Sequence, residues 1–127
     1  MKKTIRATWV SRKEKSIWCC DFSGFESDHA GLLAEIAAAE AVIYDQPANS
    51  LLVAVDLYQT RMEPEVAAFF QKCARPAPNP IRKMAILYVS SLKQIWLKAV
   101  KGATWPAQAK FFSDYERAKD WLVGEEF

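Results

Sequence analysis

The chain predicts an α/β fold: a mostly parallel sheet of about five strands, entered through an N-terminal antiparallel hairpin. Three observations predict it. Leu51-Leu52-Val53-Ala54-Val55 is an unbroken apolar run closed by Asp56, and Met84-Ala85-Ile86-Leu87-Tyr88-Val89 is a second such run. Strands without polar alternation need cover on both faces, which a central parallel strand demands and a half-exposed antiparallel one does not. Between and after these runs, apolar residues recur at helical spacing, so strands and helices alternate and crossover connections follow.

At 127 residues the chain is read as one domain, 1–127. A domain of this size buries roughly two thirds of its unfolded surface and needs no covalent staple. The composition, 51% apolar and 25% charged, is ordinary for a globular protein, and a net charge of +2 does not by itself imply nucleic acid. Met1-Lys2-Lys3-Thr4 begins like a signal peptide but runs into Arg6 and Arg12-Lys13 without an apolar core, so secretion is not expected. No apolar run approaches the roughly 20 residues of a membrane span. The three cysteines, Cys19, Cys20 and Cys73, include no C-x-x-C spacing. They argue for reduced thiols in a cytoplasm rather than a disulfide framework or a zinc site.

Taken in order, Ile5, Ala7 and Trp9 alternate with Arg6 and Thr8, and Ser11-Arg12-Lys13-Glu14-Lys15 makes a polar break before Ile17-Trp18-Cys19-Cys20-Asp21-Phe22. This is a hairpin whose second strand lies deeper than its first. After Ser23-Gly24, Ser27 or Asp28 can cap a helix with Leu32, Leu33, Ile36 and Ile43 inward, and Ala34, Ala38 and Ala41 on its other side. Gln46-Pro47-Ala48-Asn49 ends it and leads into the strand around Val53. Leu57 to Met62 is a loop, and Pro64 suits the first turn of a helix carrying Val66, Ala67, Phe69, Phe70, Cys73 and Ala74 on one side. Arg75 to Pro80 is a stiff connection to the strand around Ile86. Ser90 or Ser91 then caps a helix with Leu92, Ile95, Trp96, Ala99 and Val100 inward, ended by Gly102. Ala109-Lys110-Phe111-Phe112 is a short last strand, and Ser113-Asp114-Tyr115-Glu116 reads as a capping box opening a helix lined by Tyr115, Ala118 and Leu122, with Trp121 beside them. The order is β-β-α-β-α-β-α-β-α.

That order resembles the SpoIIAA-like, or STAS-like, family. Asp21-Phe22-Ser23-Gly24 follows the second strand, Val55-Asp56 ends the third, and the stretch from Phe111 to Leu122 closes the chain; Ala85 to Lys101 is similar to the family's fourth strand and following helix. The resemblance implies an interaction module that binds protein partners and, in the wider STAS/SEC14 grouping, lipids or small ligands. In the family's anti-sigma-factor antagonists, a serine or threonine opening the helix after the third strand is phosphorylated. Here that helix begins Met62-Glu63-Pro64-Glu65, and Thr60 in the preceding loop is the nearest hydroxyl. Two carboxylates at the positive end of the helix would repel an added phosphate.

Ligands of open α/β sheets collect at the carboxyl ends of the parallel strands. The residues expected there are Asp21, Ser23, Asp56, Thr60, Ser90 and Ser91, either as a polar mouth for a ligand or peptide or as helix caps and loop staples. His29, the single histidine, can serve as a general base only with a nucleophile beside it, and no hydrolytic signature accompanies it. Cys19 and Cys20 fall on opposite faces of a strand, as two small buried groups would, rather than as a redox pair. No spacing of ligands points to a metal or a cofactor.

Between Glu65 and Asp114 there is no acidic residue, while Lys72, Arg75, Arg82, Lys83, Lys93, Lys98, Lys101 and Lys110 all lie there. Arg82, Lys83, Lys93, Lys98 and Lys101 are expected to form a basic surface, either meeting an anionic partner or balanced by Glu35, Glu40, Asp45, Glu125 and Glu126. Trp105, before Pro106, either anchors a partner or folds over a sheet edge. No recognition-helix motif points to nucleic acid. The expected function is a non-catalytic cytoplasmic module that binds a protein partner or a second copy of itself. The alternative is a carrier or sensor of a lipid or small anionic ligand at the strand ends, and an enzyme using His29 or the serines is the weakest reading.

Overall fold

The computed structural model describes residues 7–25, 28–60, 68–69, 79–90 and 108–124, apart from the side chains of His29 and Gln108. These contain β1 (Thr8–Arg12), β2 (Lys15–Asp21), α1 (His29–Ile43), β3 (Leu51–Asp56), β4 (Ile81–Leu87), β5 (Gln108–Phe112) and α2 (Tyr115–Val123). Of the helix expected over 64–74 only Ala68 and Phe69 are described, both helical; the helix expected over 91–101, and with it Cys73, Trp96 and Trp105, lies outside the described residues.

The five strands form one sheet in the order β1-β2-β3-β4-β5. β1 runs antiparallel to β2, and every other neighbouring pair is parallel. Among the described residues, no helix is long and apolar enough to cross a membrane.

β3 occupies the middle of the sheet because its sequence permits nothing else. Leu51 to Val55 are all buried. Leu51, Val53 and Val55 join the core beneath α1, whereas Leu52 and Ala54 join the core beneath α2. Each of the larger aliphatic side chains contributes about 1.5–3 kcal/mol by leaving water, and only cover on both faces lets consecutive residues all do so. Cys19 and Cys20 divide between the same two cores, as strand alternation requires. The first core is completed by Phe22 and Phe69, whose rings meet edge to face at 5.2 Å.

The hairpin turns on two residues only, Lys13 (φ 51°) and Glu14 (φ 65°), with Arg12 opposite Lys15. Positive φ at both centres is the geometry whose twist matches the flanking strands. β2 is deeper than β1, as the pattern predicts. Trp9 on β1 remains well exposed and leans on its cross-strand partner Trp18 at 5.0 Å. The outer edge is tied down by Arg12, which donates to Glu116 at 2.8 Å and Asp120 at 2.9 Å on α2.

α1 is capped by Asp28, whose carboxylate accepts the Gly31 N–H at 3.0 Å. A Cβ on residue 31 would sit 2.3 Å from that carboxylate, so the cap requires glycine. The inward stripe is Leu32, Glu35, Ile36, Ala39 and Ile43, and Leu33 is exposed. The expected stripe is therefore corrected at two places. Leu33 lies 100° around the helix from Leu32, and the helical phase is fixed by Ile36, Ala39 and Ile43. Glu35 is not a solvated counter-charge: it is buried and accepts the Ala7 N–H at 2.8 Å, fastening the chain before β1.

A second correction concerns the start of α2. Asp114, not Ser113, is the cap, and its side chain accepts the Glu116 N–H at 2.9 Å. Glu116 then stands one residue too early to reach back as a capping box requires, and pairs with Arg12 and Lys119 instead.

The third correction is Lys83, expected on the surface and found 3% exposed. Pairing of β3 with β4 steps from Leu51↔Ile81 to Leu52↔Lys83, leaving Arg82 as the extra residue of a bulge. The bulge puts Arg82 in solvent and turns Lys83 onto the α2 face, as such insertions re-aim side chains. The Lys83 ammonium donates to the carbonyls of Trp121 (2.9 Å) and Gly124 (3.1 Å) and lies 5.2 Å from the Trp121 ring centre. Lys15 donates to the Val123 carbonyl at 3.1 Å. Two strand lysines thus donate to the carbonyls of the helix end, at the negative pole of its dipole, where the Trp121 carbonyl also accepts the Gly124 N–H at 3.3 Å.

Replacing Lys83 by Ala should lower stability in urea titrations by about 2–3 kcal/mol, since buried helix carbonyls lose charged donors. Arg82→Ala, on the solvent side of the bulge, should change it by less than about 0.5 kcal/mol. Equal effects would contradict the assignment of Lys83 to the interior.

Candidate functional site at the carboxyl end of the sheet

Four of the residues expected at the strand ends come together there. Asp21 and Asp56 close β2 and β3 as register partners, so their side chains leave the sheet side by side. Both are half-buried. The Asp21 carboxylate accepts the Ser23 N–H at 3.0 Å and the Ser23 hydroxyl proton. Asp56 accepts the Tyr58 N–H at 3.0 Å. Each aspartate therefore turns its own loop by bonding the backbone two residues on.

Thr60 stitches the two loops to each other. Its hydroxyl donates to the Phe22 carbonyl and accepts the Phe25 N–H at 3.2 Å, and the residue is 3% exposed. Gly24 donates to the Tyr58 carbonyl at 2.7 Å, adding a main-chain link. Ser90 is exposed beyond β4, and Ser91 lies outside the described residues.

What these loops present to solvent was not visible in the list of polar candidates. Tyr58 (54% exposed) and Tyr88 (37% exposed) follow the ends of β3 and β4, and their rings meet edge to face at 5.5 Å. Tyr88 has φ 64° and Gln59 φ 55°, conformations that favour glycine. A bulky residue held there costs on the order of 1–3 kcal/mol, which the surrounding ladder must offset. The Tyr88 N–H donates to the Phe112 carbonyl at 3.0 Å, and the Leu57 N–H to the Leu87 carbonyl at 3.2 Å. The sequence offered one signal for Tyr58, a tyrosine two residues beyond a strand-ending aspartate. Tyr88 gave none, because it sits inside an apolar run.

Beneath the carboxylates, on the α2 face, Tyr115 packs against the core that holds Cys19. Burial pushes the Cys19 thiol above its ordinary range, the reverse of what a nucleophilic cysteine needs. Burial also pushes the Tyr115 phenol well up; the neighbouring Cys19 and the negative potential of Asp56 and Asp21 act in the same sense. The site thus holds a neutral phenol and a neutral thiol under two carboxylates that are occupied with loop N–H groups. Among the described residues, no three His, Cys, Asp or Glu side chains could hold a metal ion.

Of the expected basic surface, Arg82 is exposed at the opposite end of the sheet, Lys83 is interior, and Lys93, Lys98 and Lys101 lie outside the described residues.

Tyr115 gives the alkaline limb of stability a defined sign. Its folded-state pKa is raised, so its contribution is complete below about pH 10, where the unfolded phenol ionises, and is lost as pH rises above that. Urea unfolding of Tyr115→Phe between about pH 10 and 12 should show a shallower loss than the unchanged chain, by up to about 1.4 kcal/mol per pH unit less the part screened at its exposed edge. Parallel slopes would contradict a phenol held neutral by its surroundings.

No family model matches the chain, and no curated protein matches it in sequence.

Proposed function

We propose that this chain is a STAS-like, SpoIIAA-like interaction module that acts in the cytoplasm by binding a protein partner, without catalysis, through the loops after β3 and β4. The observation that carries the reading is the exposed Tyr58–Tyr88 pair, with positive φ at Tyr88 itself and at Gln59, the residue after Tyr58. Tyrosine is enriched where a few residues supply most of a protein interface's energy, since it offers a large rigid face and a polar tip. Strained backbone is retained where the surrounding structure over-determines it, most often at binding and switch sites.

Other features agree with a binding role. Asp56 holds the loop that carries Tyr58, Thr60 ties that loop to the one after β2, and Asp21 and Ser23 bond each other within the latter. The Cys19 and Cys20 side chains are buried, in keeping with a reducing compartment. Thr60 does not offer the hydroxyl a kinase requires, because that group is inside and bonded to the Phe22 carbonyl. The alternative, a lipid or small anion held at these same strand ends, has less support, since Asp21 and Asp56 set a negative potential there.

A photo-crosslinking residue placed at 58 or 88 in the full chain, expressed in its own host, tests the reading. A discrete protein adduct is expected from both positions and not from exposed Leu33 on α1. Tyr88→Gly should abolish the adduct formed from position 58 while holding stability within about 1 kcal/mol, because lost ring contact and relieved strain offset each other. Absence of adducts at 58 and 88, or equal labelling from 33, would refute the proposal.

A further inference from the structure

β1 is the outermost strand of the sheet and, among the described residues, pairs with β2 alone. The two-residue turn makes Arg12 and Lys15 the closing pair, so Val10 and Thr8, at alternate positions from Arg12, spend their main-chain groups on β2. Trp9 and Ser11 therefore aim theirs away from the sheet. Ala7, the next residue of that outward row, already gives its N–H to the Glu35 carboxylate at 2.8 Å. What stays open is a short window between that bond and the turn at Lys13, and Thr8, Trp9 and Ser11 along it are all exposed.

We propose that this edge pairs with the same edge of a second copy of the chain, β1 antiparallel to β1 about a two-fold axis at Val10. In that register Trp9 of each copy faces Ser11 of the other, and each such pair exchanges both of its main-chain hydrogen bonds. Thr8 stands opposite Arg12, whose charge is taken up by Glu116 and Asp120 of its own chain. No two like charges meet along the strands, and a net charge of +2 opposes association little. Moving the axis to either neighbouring outward residue is worse. At Trp9 it sets Ser11 against the already bonded Ala7, and at Ser11 it sets Trp9 against Lys13 in the turn. A longer peptide of another protein gains no more than a second copy does, because Glu35 and the turn close the window at its two ends.

Trp9 gives the pairing its apolar part. It is 45% exposed while its ring rests on Trp18 at 5.0 Å, a fixed aromatic face at the edge of the sheet. Across the axis the two Trp9 side chains are diagonal neighbours on the face that α1 covers, within reach of each other. Open edges are normally blunted by lysine, proline or a bulge. Thr8-Trp9-Val10-Ser11-Arg12 has none of these, and its register with β2 is unbroken. A contact about 17 Å long and one strand wide covers less than the ~800 Å² per partner of a standard interface, so the dimer is weak and reversible. The tyrosine loops take no part in it.

Sedimentation equilibrium of the full chain from about 10 μM to 1 mM tests it, with a reversible monomer–dimer equilibrium expected within that range. Ser11→Lys, which puts a charge on the open edge, should weaken the dimer about tenfold while leaving the circular dichroism unchanged. Ser11→Pro, which removes an outward N–H and no bond to β2, should do the same. Val10→Cys, on the axis, should link two chains by a disulfide under mild oxidation about tenfold faster than Leu33→Cys on α1, since the paired Cα atoms there lie about 4.5 Å apart. A monomer throughout, a dimer that Tyr58→Ala dissolves and Ser11→Lys does not, or equal linking by the two cysteine variants would overturn the proposal.

Discussion

Five consecutive buried residues in β3 set the terms for everything else. A strand that is apolar on both sides can be placed only between two covering layers and between two other strands, because each alternative leaves aliphatic surface in water. Parallel pairing on both flanks follows from the helical segment that must intervene before the chain can return in the same direction. α1 covers one face and α2 the other, and the two cores meet only across the sheet. The N-terminal hairpin extends the sheet on one side, and its edge is fastened to α2 through Arg12.

This arrangement polarises the molecule along the strand direction. α2 runs back along the sheet, so its first residue, Tyr115, lies in the field of Asp21 and Asp56, while its last carbonyls lie among Lys15 and Lys83. Acidic and aromatic groups gather at the carboxyl end, basic groups at the amino end. The acidic end spends its polar groups on loop geometry and displays tyrosines. The basic end spends its lysines on a helix terminus. Glu116 belongs to the same scheme: hydrogen bonds from Arg12 and then Lys119 hold its carboxyl below the ordinary range, so the clamp between β1 and α2 is complete at neutral pH and weakens only as acid protonates it.

The fold was legible where one physical demand dominated. The runs around Val53 and Ile86 could be strands buried on both faces and nothing else, and the tryptophan-flanked hairpin followed from alternation. The inner face of α1 was less legible. A buried glutamate, Glu35, occupies a stripe position, and an exposed leucine, Leu33, lies beside it, so hydrophobicity alone shifted the phase. Lys83 was illegible for another reason. A bulge changes which face a residue takes without any change in local composition, and only the register against β3 reveals it. The serine–aspartate pair at 113–114 offered two caps one residue apart, and sequence does not decide between caps of equal quality. At the candidate site, Asp21, Ser23, Asp56 and Thr60 stand at the strand ends, and their hydrogen bonds go to loop backbone and to one another. The exposed tyrosines were hidden, one of them by its place inside an apolar run.

Amide hydrogen exchange read residue by residue tests the central claim most directly. If the doubly covered strands hold the domain together, the amides of Val53, Ala54, Val55, Ala85 and Ile86 exchange last and together, with free energies equal to that of global unfolding in denaturant. If instead these amides exchange by local opening while β1 or α2 remains protected, the sheet centre is not what the rest of the structure depends on.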